Sequence, residues 1–265
     1  MQHRVNNKWR NVALIVVLSF SLVTSAFAFD FSLNLSFDSS YTASQQSIFN
    51  SAANYWESVI TGYQPGYVGV DGISIDVGII PVDDSDGEYG VLGWGTWDSY
   101  VSEGSGQYFT ATGYMQYDVP DIARLEDNNT LYEVAVHEIA HILGFGTWWN
   151  YDADISYVDG SGEYLGAAAL AAYRAEFDPT ADFVPVELEG GSGTADAHWD
   201  ESIGAHELMT GWLDAPTFVS NTTIASFIDL GYTVNLSAVP LPAAVWLFGS
   251  GLLGLLGWSK RKQVA

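Results

Sequence analysis

The sequence predicts an α+β domain, and three of its features support that class. Apolar and polar residues alternate over residues 30–37 and 110–118, which is the pattern of strands with one buried face. Residues 42–60 carry apolar side chains at helical spacing, which predicts a long amphipathic helix laid across a sheet. A second apolar helix is predicted to begin at Thr130. We therefore expect a sheet with two long helices.

The remaining elements are less regular. Residues 73–82 predict a further strand. In residues 91–101 glycine alternates with aromatic residues, which either pack over the sheet or line a cleft, and the sequence leaves both interpretations open. Beyond the second helix the chain is rich in glycine turns, with helices predicted at 165–177 and 221–230 and a final segment at 232–236.

Both ends of the chain have the composition of sorting segments. Residues 1–28 combine a basic start, an apolar run and a closing small-x-small pattern, which predicts a secretory signal peptide. Residues 239–258 carry no charge over a length that can span a bilayer, about 20 residues. Basic residues follow at 260–262 and mark the cytoplasmic side. Residues 29–238 are therefore predicted to be an exported domain, tethered to the membrane at its C-terminus.

The charge of that domain is strongly negative. All 32 acidic residues lie in it, but only two basic ones, Arg124 and Arg174, so its net charge is −30. Nucleic acid is excluded as a partner, since phosphate binding depends on Lys and Arg. The acidic surface suits solubility, Ca²⁺ or a salty medium. Because the chain has no cysteine, the exported fold must hold without disulfides.

The strongest functional pattern is His137-Glu138-x-x-His141 in the second helix. Residues four apart lie on one face of a helix, about 6 Å apart at Cβ. Two imidazoles at that spacing can converge on one Zn²⁺, and Glu138 can reach a metal-bound water. Thr130 and Glu133 have the spacing of a capping box, which supports the helix. A buried pair of structural histidines is the alternative interpretation.

A catalytic zinc ion needs three protein ligands and one open position for water. The predicted domain contains two further histidines, His198 and His206. The third ligand is one of these, or a downstream carboxylate such as Glu163 or Glu176. The residues alone leave these alternatives open.

Calcium is a second possible ion. The acidic loop at residues 83–90 offers carboxylates at Asp83, Asp84, Asp86 and Glu88. Their spacing is not that of an EF-hand loop, so a solvated loop is the alternative interpretation.

Residues 137–146, HEIAHILGFG, resemble the zinc helix of the metzincin metalloproteases and its terminal glycine. Most metzincins have their third histidine three residues after that glycine, where this chain has Thr147. The chain is more similar to the leishmanolysin branch, in which a long insertion precedes the third histidine and a methionine turn follows it. The resemblance covers about residues 110–235. It implies that His198 is the third ligand and that Met209 packs beneath the metal, leaving His206 as a group beside the site or as the alternative ligand.

The same resemblance implies a metzincin-like fold. This is a twisted mixed sheet with two long helices, forming an N-terminal subdomain to about residue 146. A smaller irregular C-terminal subdomain follows at 147–238, with the cleft between the two. Residues 110–118 then suit the edge strand along which an extended substrate pairs. The family's disulfides and its propeptide cysteine have no counterpart in this chain, so neither is expected here.

Residues 239–265 resemble the PEP-CTERM sorting signal, which combines a Pro-x-Pro motif, a span rich in glycine and leucine, and a basic end. Leu241 stands where that signal usually has glutamate. The resemblance implies a Gram-negative bacterium, and an exosortase-type enzyme that cuts near residues 240–242. The protein is then exported to the cell surface or extracellular matrix. A plain membrane anchor is the alternative.

These features together predict a secreted or surface zinc endopeptidase that acts on protein or peptide substrates, with Glu138 as general base. The alternative is a non-catalytic matrix or adhesion protein that binds glycan or calcium. The intact Glu138 favours the enzyme, because a binding protein has no need of a carboxylate at that position.

Overall fold

The computed structural model describes residues 31–67, 69–79, 91–102, 106–117, 119–152, 154–155 and 157–236. The predicted signal peptide, the acidic loop at 83–90 and the predicted sorting segment at 239–265 lie outside these residues. Within the described ranges, no helix is long and apolar enough to cross a bilayer.

The described chain forms five α-helices and eight strands, which confirms the predicted α+β class. In chain order they are β1 (Leu33–Phe37), α1 (Ala43–Val59), β2 (Ile60–Tyr63), β3 (Ile73–Ile79), β4 (Gly93–Ser102), β5 (Tyr108–Tyr117), α2 (Val119–Asp127), α3 (Leu131–Ile142), β6 (Glu163–Tyr164), α4 (Ala167–Glu176), β7 (Val184–Pro185), α5 (Asn221–Asp229) and β8 (Tyr232–Val234). Four of the helices were predicted; α2 was not.

The main sheet has four strands in the order β1-β3-β5-β4. β1, β3 and β5 run parallel, whereas β4 runs antiparallel to β5, so the sheet is mixed as predicted. The prediction that residues 110–118 form the edge strand is wrong. β5 lies between β3 and β4, because β4 turns back along its free side, and β4 itself is the edge on that side.

Helices α1 and α3 pack against each other, α1 against β1 and α3 against β4 and β5. The side chain of Trp56 joins the two helices: it is fully buried, and its indole N–H donates to the carbonyl oxygen of Val136 at 2.9 Å. α1 begins with a capping box in which Thr42 and Gln45 each accept from the other's backbone N–H. α3, which carries the His137-Glu138-x-x-His141 pattern, is thus fixed along one side by α1.

The capping box predicted for α3 does not form. Thr130 has φ −110° and ψ −2°, and its side chain makes no cap hydrogen bond. The reason is that α2 ends immediately upstream: Asn129 takes a left-handed φ of 58°, and the Thr130 N–H donates to the Leu125 carbonyl at 2.9 Å. Thr130 therefore terminates α2 rather than capping α3 with its hydroxyl.

The glycine-aromatic segment forms β4, and its aromatic side chains have two different environments. Trp97 stacks on the buried Trp148, with ring centroids 4.6 Å apart, so this part of the strand packs against the core. Trp94 is 50% exposed and meets only the edge of Tyr114 among the described rings. Packing against the core is therefore confirmed for Trp97, and the cleft interpretation stays a prediction for Trp94.

The C-terminal part is held to the rest of the fold by a strand pair and by two reciprocal helix caps. β8 pairs antiparallel with β2, which follows α1 directly. Glu176, at the end of α4, accepts from the backbone N–H groups of Asn221 and Thr222 at the start of α5. Asp229, at the end of α5, accepts from those of Ala168 and Ala169 at the start of α4. Each helix thus ends at a carboxylate that caps the other.

Candidate metal centre

Helix α3 presents His137 and His141 on one face, as the spacing predicts. Their Nε2 atoms lie 3.0 Å apart. The helix ends at Ile142 with Leu143 as its C-cap, and Gly144 adopts a φ of 118°, which favours glycine because side chains with a Cβ are strained there. The chain therefore turns sharply where it leaves the helix.

His198 comes from a loop 57 residues beyond His141 and completes a cluster of three. Its Nε2 atom lies 3.0 Å from that of His137 and 3.1 Å from that of His141. The backbone around it is fixed on both sides. The His198 carbonyl accepts from the Glu187 N–H at 2.9 Å, and the Trp199 N–H donates to the Met209 carbonyl at 2.9 Å.

Each ring is oriented by a backbone carbonyl at its other nitrogen. Nδ1 of His137 lies 2.7 Å from the Leu208 oxygen, that of His141 2.9 Å from the Phe145 oxygen, and that of His198 2.9 Å from the Thr194 oxygen. Because a carbonyl oxygen can only accept, each Nδ1 carries the hydrogen. The three Nε2 lone pairs are left to point at one another, which is the tautomer a metal ligand needs.

Burial keeps the three rings neutral. It lowers the pKa of His137 to about 3 and that of His198 to about 4, with repulsion from His198 adding to the shift at His137. The pKa of His141 is also well below its usual value, through burial and then the two neighbouring imidazoles. Neutral imidazole is the form that binds a metal ion.

The donor set fits zinc. Zn–N distances of about 2.0–2.1 Å at tetrahedral angles place ligand nitrogens about 3.3 Å apart, close to the 3.0–3.1 Å between these Nε2 atoms. Three imidazoles suit Zn²⁺ among common ions, whereas Ca²⁺ and Mg²⁺ take oxygen ligands. Three protein ligands leave one tetrahedral position for water or substrate.

Glu138 follows His137 in α3 and is buried against the edge strand β4. Burial raises the pKa of its carboxyl to about 8, and the Gly95 N–H, which donates to it, partly offsets that rise. Two β4 glycines permit the contact. A Cβ at Gly95 would lie 2.3 Å from the Glu138 carbonyl oxygen, and one at Gly93 would lie 3.1 Å from its carboxylate. Sequence reasoning noted these glycines without finding this role for them.

Met209 is fully buried in a turn that touches the cluster through its neighbour, because the carbonyl holding His137 belongs to Leu208. The other proposed third ligands lie elsewhere. His206 is exposed and its Nδ1 bonds the Asp214 carbonyl, Glu163 is exposed on β6, and Glu176 caps α5. Of the four alternatives, this geometry supports His198.

A group of three carboxylates, Glu187, Asp200 and Glu201, lies together at a cavity of about 600 Å³. Burial and the neighbouring Glu187 raise the pKa of Glu201 to about 7. Acidic groups of this kind are common without an ion, so Ca²⁺ binding stays a prediction, and its predicted loop lies outside the described residues.

The fold and this site define a class: an α+β protein with three histidines that can hold a metal ion and a buried glutamate next to the first of them in the same helix. A family model described as leishmanolysin matches residues 65–247, more than half of the chain. The chain therefore belongs to the leishmanolysin family, which confirms the resemblance seen in the sequence. Residues 238–262 match the model of the PEP-CTERM protein-sorting motif, a signal that implies export and surface sorting in Gram-negative bacteria.

Individual relatives agree with the family match. The chain is 30% identical over 152 residues to a leishmanolysin homolog of Crithidia fasciculata, covering 54% of this chain and 22% of that protein. It is 28% identical over 177 residues to leishmanolysin of Leishmania chagasi, covering 61% and 28%. For leishmanolysin of Leishmania major the identity is 30% over 154 residues, covering 55% and 25%. The chain thus matches about a quarter of the length of these relatives.

Proposed function

We propose that this protein is an exported zinc-dependent endopeptidase. The observation that carries the proposal is the convergence of the Nε2 atoms of His137, His141 and His198 within 3.1 Å, with the buried Glu138 next to His137 in α3. Membership of the leishmanolysin family supports the same class of activity. The protein or peptide substrate would lie along β4, the edge strand next to Glu138.

His137, His141 and His198 would hold the zinc ion through Nε2. When bound there, zinc supplies Lewis acidity for the scissile carbonyl and acidifies water. Glu138 acts as general base: it takes a proton from the attacking water and delivers it to the leaving amine. The Gly95 N–H holds the Glu138 carboxylate in place while it exchanges that proton.

Three variants test the proposal. Glu138→Gln should keep one zinc ion per chain, measured by elemental analysis, and lose casein hydrolysis, because the ligands remain and the base does not. His198→Ala should lose zinc and activity together. His206→Ala is the matched control, a histidine from the same region, and it should keep both.

The outcomes separate the competing explanations. Casein hydrolysis by Glu138→Gln would refute the role of the base. Zinc loss in His206→Ala, with His198→Ala unaffected, would overturn the ligand set. A wild-type protein that binds zinc tightly but cleaves neither casein nor gelatin would favour the alternative, a non-catalytic surface protein.

We also propose the sequence boundaries for processing: a signal peptide at 1–28, a metalloprotease domain at 29–238, and a tail at 239–265 removed by an exosortase-type enzyme near residues 240–242. The match of residues 238–262 to the sorting motif supports this. Mass spectrometry of the protein recovered from the cell surface should find a C-terminus inside residues 238–245. An intact tail would instead support a plain membrane anchor.

A further inference from the structure

Glu207 is a buried carboxylate that the proposed mechanism does not use. Its side chain is 1% exposed. It accepts four hydrogen bonds, from the Met209 N–H at 2.6 Å, the Ser220 N–H at 3.0 Å, the Ser220 hydroxyl at 2.9 Å and the Thr223 hydroxyl at 2.6 Å. A buried carboxylate is costly unless its oxygens are satisfied in this way, so these contacts fix its position closely.

The two carboxylate oxygens have different partners. Oε2 accepts from Met209 within the turn formed by residues 207–210, which we call the methionine turn. Oε1 accepts from Ser220 and Thr223 at the N-terminus of α5. The positive end of the helix dipole favours a carboxylate at that place. Glu207 therefore joins the methionine turn to a helix end.

The methionine turn in turn contacts two of the three segments that carry histidines of the metal centre. The Leu208 carbonyl accepts from Nδ1 of His137, and the Met209 carbonyl accepts from the N–H of Trp199, the residue after His198. A shift of this turn would move both contacts together.

The orientation of the His137 ring depends on a distant part of the chain, the methionine turn, whereas the other two rings are oriented by nearby residues. The carbonyl groups that orient His141 and His198 lie only four residues away from each ring in sequence. The carbonyl that orients His137 lies 71 residues away and is held in place only by tertiary contacts. The Leu208 N–H donates to the Phe218 carbonyl at 2.8 Å, and Glu207 holds the other end of the turn.

We propose that Glu207 is a positioning residue for the metal centre. By fixing the methionine turn to α5, it holds the Leu208 carbonyl against His137 and the Met209 carbonyl against Trp199. This inference rests on the proposed function in one respect, that the three histidines bind zinc. It does not require the protein to cleave peptides.

The test compares a variant at Glu207, which contacts both α5 and the methionine turn, with a variant at a residue that contacts α5 but not the turn. Glu207→Gln keeps the size of the side chain, but only the amide oxygen can still accept a hydrogen bond. When that oxygen accepts from the N-terminus of α5, the Met209 N–H has no acceptor. We expect zinc affinity to fall by at most about 10–100-fold, the usual effect of losing an outer hydrogen bond to a ligand, because Glu207 acts on His137 only through the Leu208 carbonyl. Competition with a chromophoric chelator measures the affinity of the purified full chain.

Glu176→Gln is the matched control. Glu176 also caps α5, at Asn221 and Thr222, but it makes no contact with the methionine turn among the described residues. It should therefore lose stability without losing zinc affinity. The absorption spectrum of the Co²⁺-substituted protein should change for Glu207→Gln and stay at the wild-type form for Glu176→Gln, because it reports ligand geometry rather than stability.

Ser220→Ala provides a second measurement if Glu207→Gln does not fold. It removes one of the four donors to Glu207 and should weaken zinc binding a few-fold. Wild-type affinity and Co²⁺ spectra in both Glu207→Gln and Ser220→Ala would overturn the proposal, as would equal losses in Glu207→Gln and Glu176→Gln. If the wild-type protein binds zinc but cleaves nothing, the proposed function fails while this comparison still stands.

Discussion

Replacing Gly95 with alanine should damage both the stability and the activity of this protein. The added Cβ would lie 2.3 Å from the Glu138 carbonyl oxygen, 2.9 Å from its carbonyl carbon and 3.0 Å from its Cβ. Ordinary contacts begin at about 3.4 Å, so β4 and α3 must separate by about 1 Å. Two of the three contacts are with backbone, which cannot rotate away.

The size of the effect follows from that separation. Overpacking of this kind costs about 1–3 kcal/mol, and we expect the upper half of that range because helix and strand must move as units. For a domain of this size, this corresponds to a fall in Tm of about 5–10 °C. A displacement of about 1 Å in a catalytic group costs about 100-fold in rate, so kcat/KM on casein-derived peptides should fall by that factor.

Gly78→Ala is the control. Gly78 also lies in the main sheet, its φ is not left-handed, and a Cβ there would meet no atom of the described residues within 4 Å. Its Tm should stay within about 2 °C of the wild type, since such surface changes are usually within about 0.5 kcal/mol. Thermal unfolding and peptide hydrolysis measure both variants. If Gly95→Ala melts and cleaves like Gly78→Ala, the close contact of β4 with Glu138 is not as described.

Three further predictions concern the metal, a helix cap and a buried acid. Removal of zinc with a chelator should lower Tm, and added Zn²⁺, but not Mg²⁺, should restore it, because an ion at about 1,000 times its Kd stabilises the fold by about 4 kcal/mol. Glu176→Ala should lower the free energy of unfolding by about 1–3 kcal/mol, since it removes the acceptor at the start of α5, and elemental analysis should still find zinc; Glu163→Ala, at an exposed glutamate, should change neither. Burial raises the pKa of Asp152 to about 6, so between pH 4 and 6 the folded protein keeps a proton that the unfolded chain releases. As the pH rises over that range, the stability of the wild type measured by urea unfolding should fall by about 1–3 kcal/mol relative to Asp152→Asn. Below about pH 4 the sign should reverse for Asp178: wild-type stability should rise with pH relative to Asp178→Asn, because donors from Thr180 lower the pKa of Asp178.

The sequence predicted the helices best. α1 lies within one residue of its predicted limits and α3 begins one residue after its predicted start, because each carries a continuous apolar face that packs on the sheet or on the other helix. The two histidines of α3 were predictable for the same reason, since helical spacing alone brings them together. His198 needed the family resemblance, because spacing cannot choose between it and His206, which lies only eight residues away and points to the Asp214 carbonyl.

Two predictions, the capping box of α3 and the edge strand, are wrong because a neighbouring element takes the place that each one needs. Thr130 and Glu133 have the pattern of a capping box, but the end of α2 uses the Thr130 backbone first. The edge strand was assigned to β5 because it precedes α3 in sequence, yet order in a sheet depends on which strand covers its free side, and here β4 does. The carbonyl groups that orient the histidines could not be predicted at all, because every residue has one and only the folded chain selects those of Leu208 and Thr194.

Under the proposed sorting, the pairing of β8 with β2 fixes how far the folded domain can lie from the membrane before the tail is removed. β8 ends at Val234 and the sorting motif begins at residue 238, so only three residues join them. A fully extended segment of three residues spans at most about 11 Å. Under the proposed sorting, the folded domain lies close to the lipid surface and can cleave only substrates that come near the membrane at that place. Cleavage near residues 240–242 would then release the folded domain with only a few residues after β8. The domain could then diffuse through the surrounding matrix instead of staying at one place on the membrane.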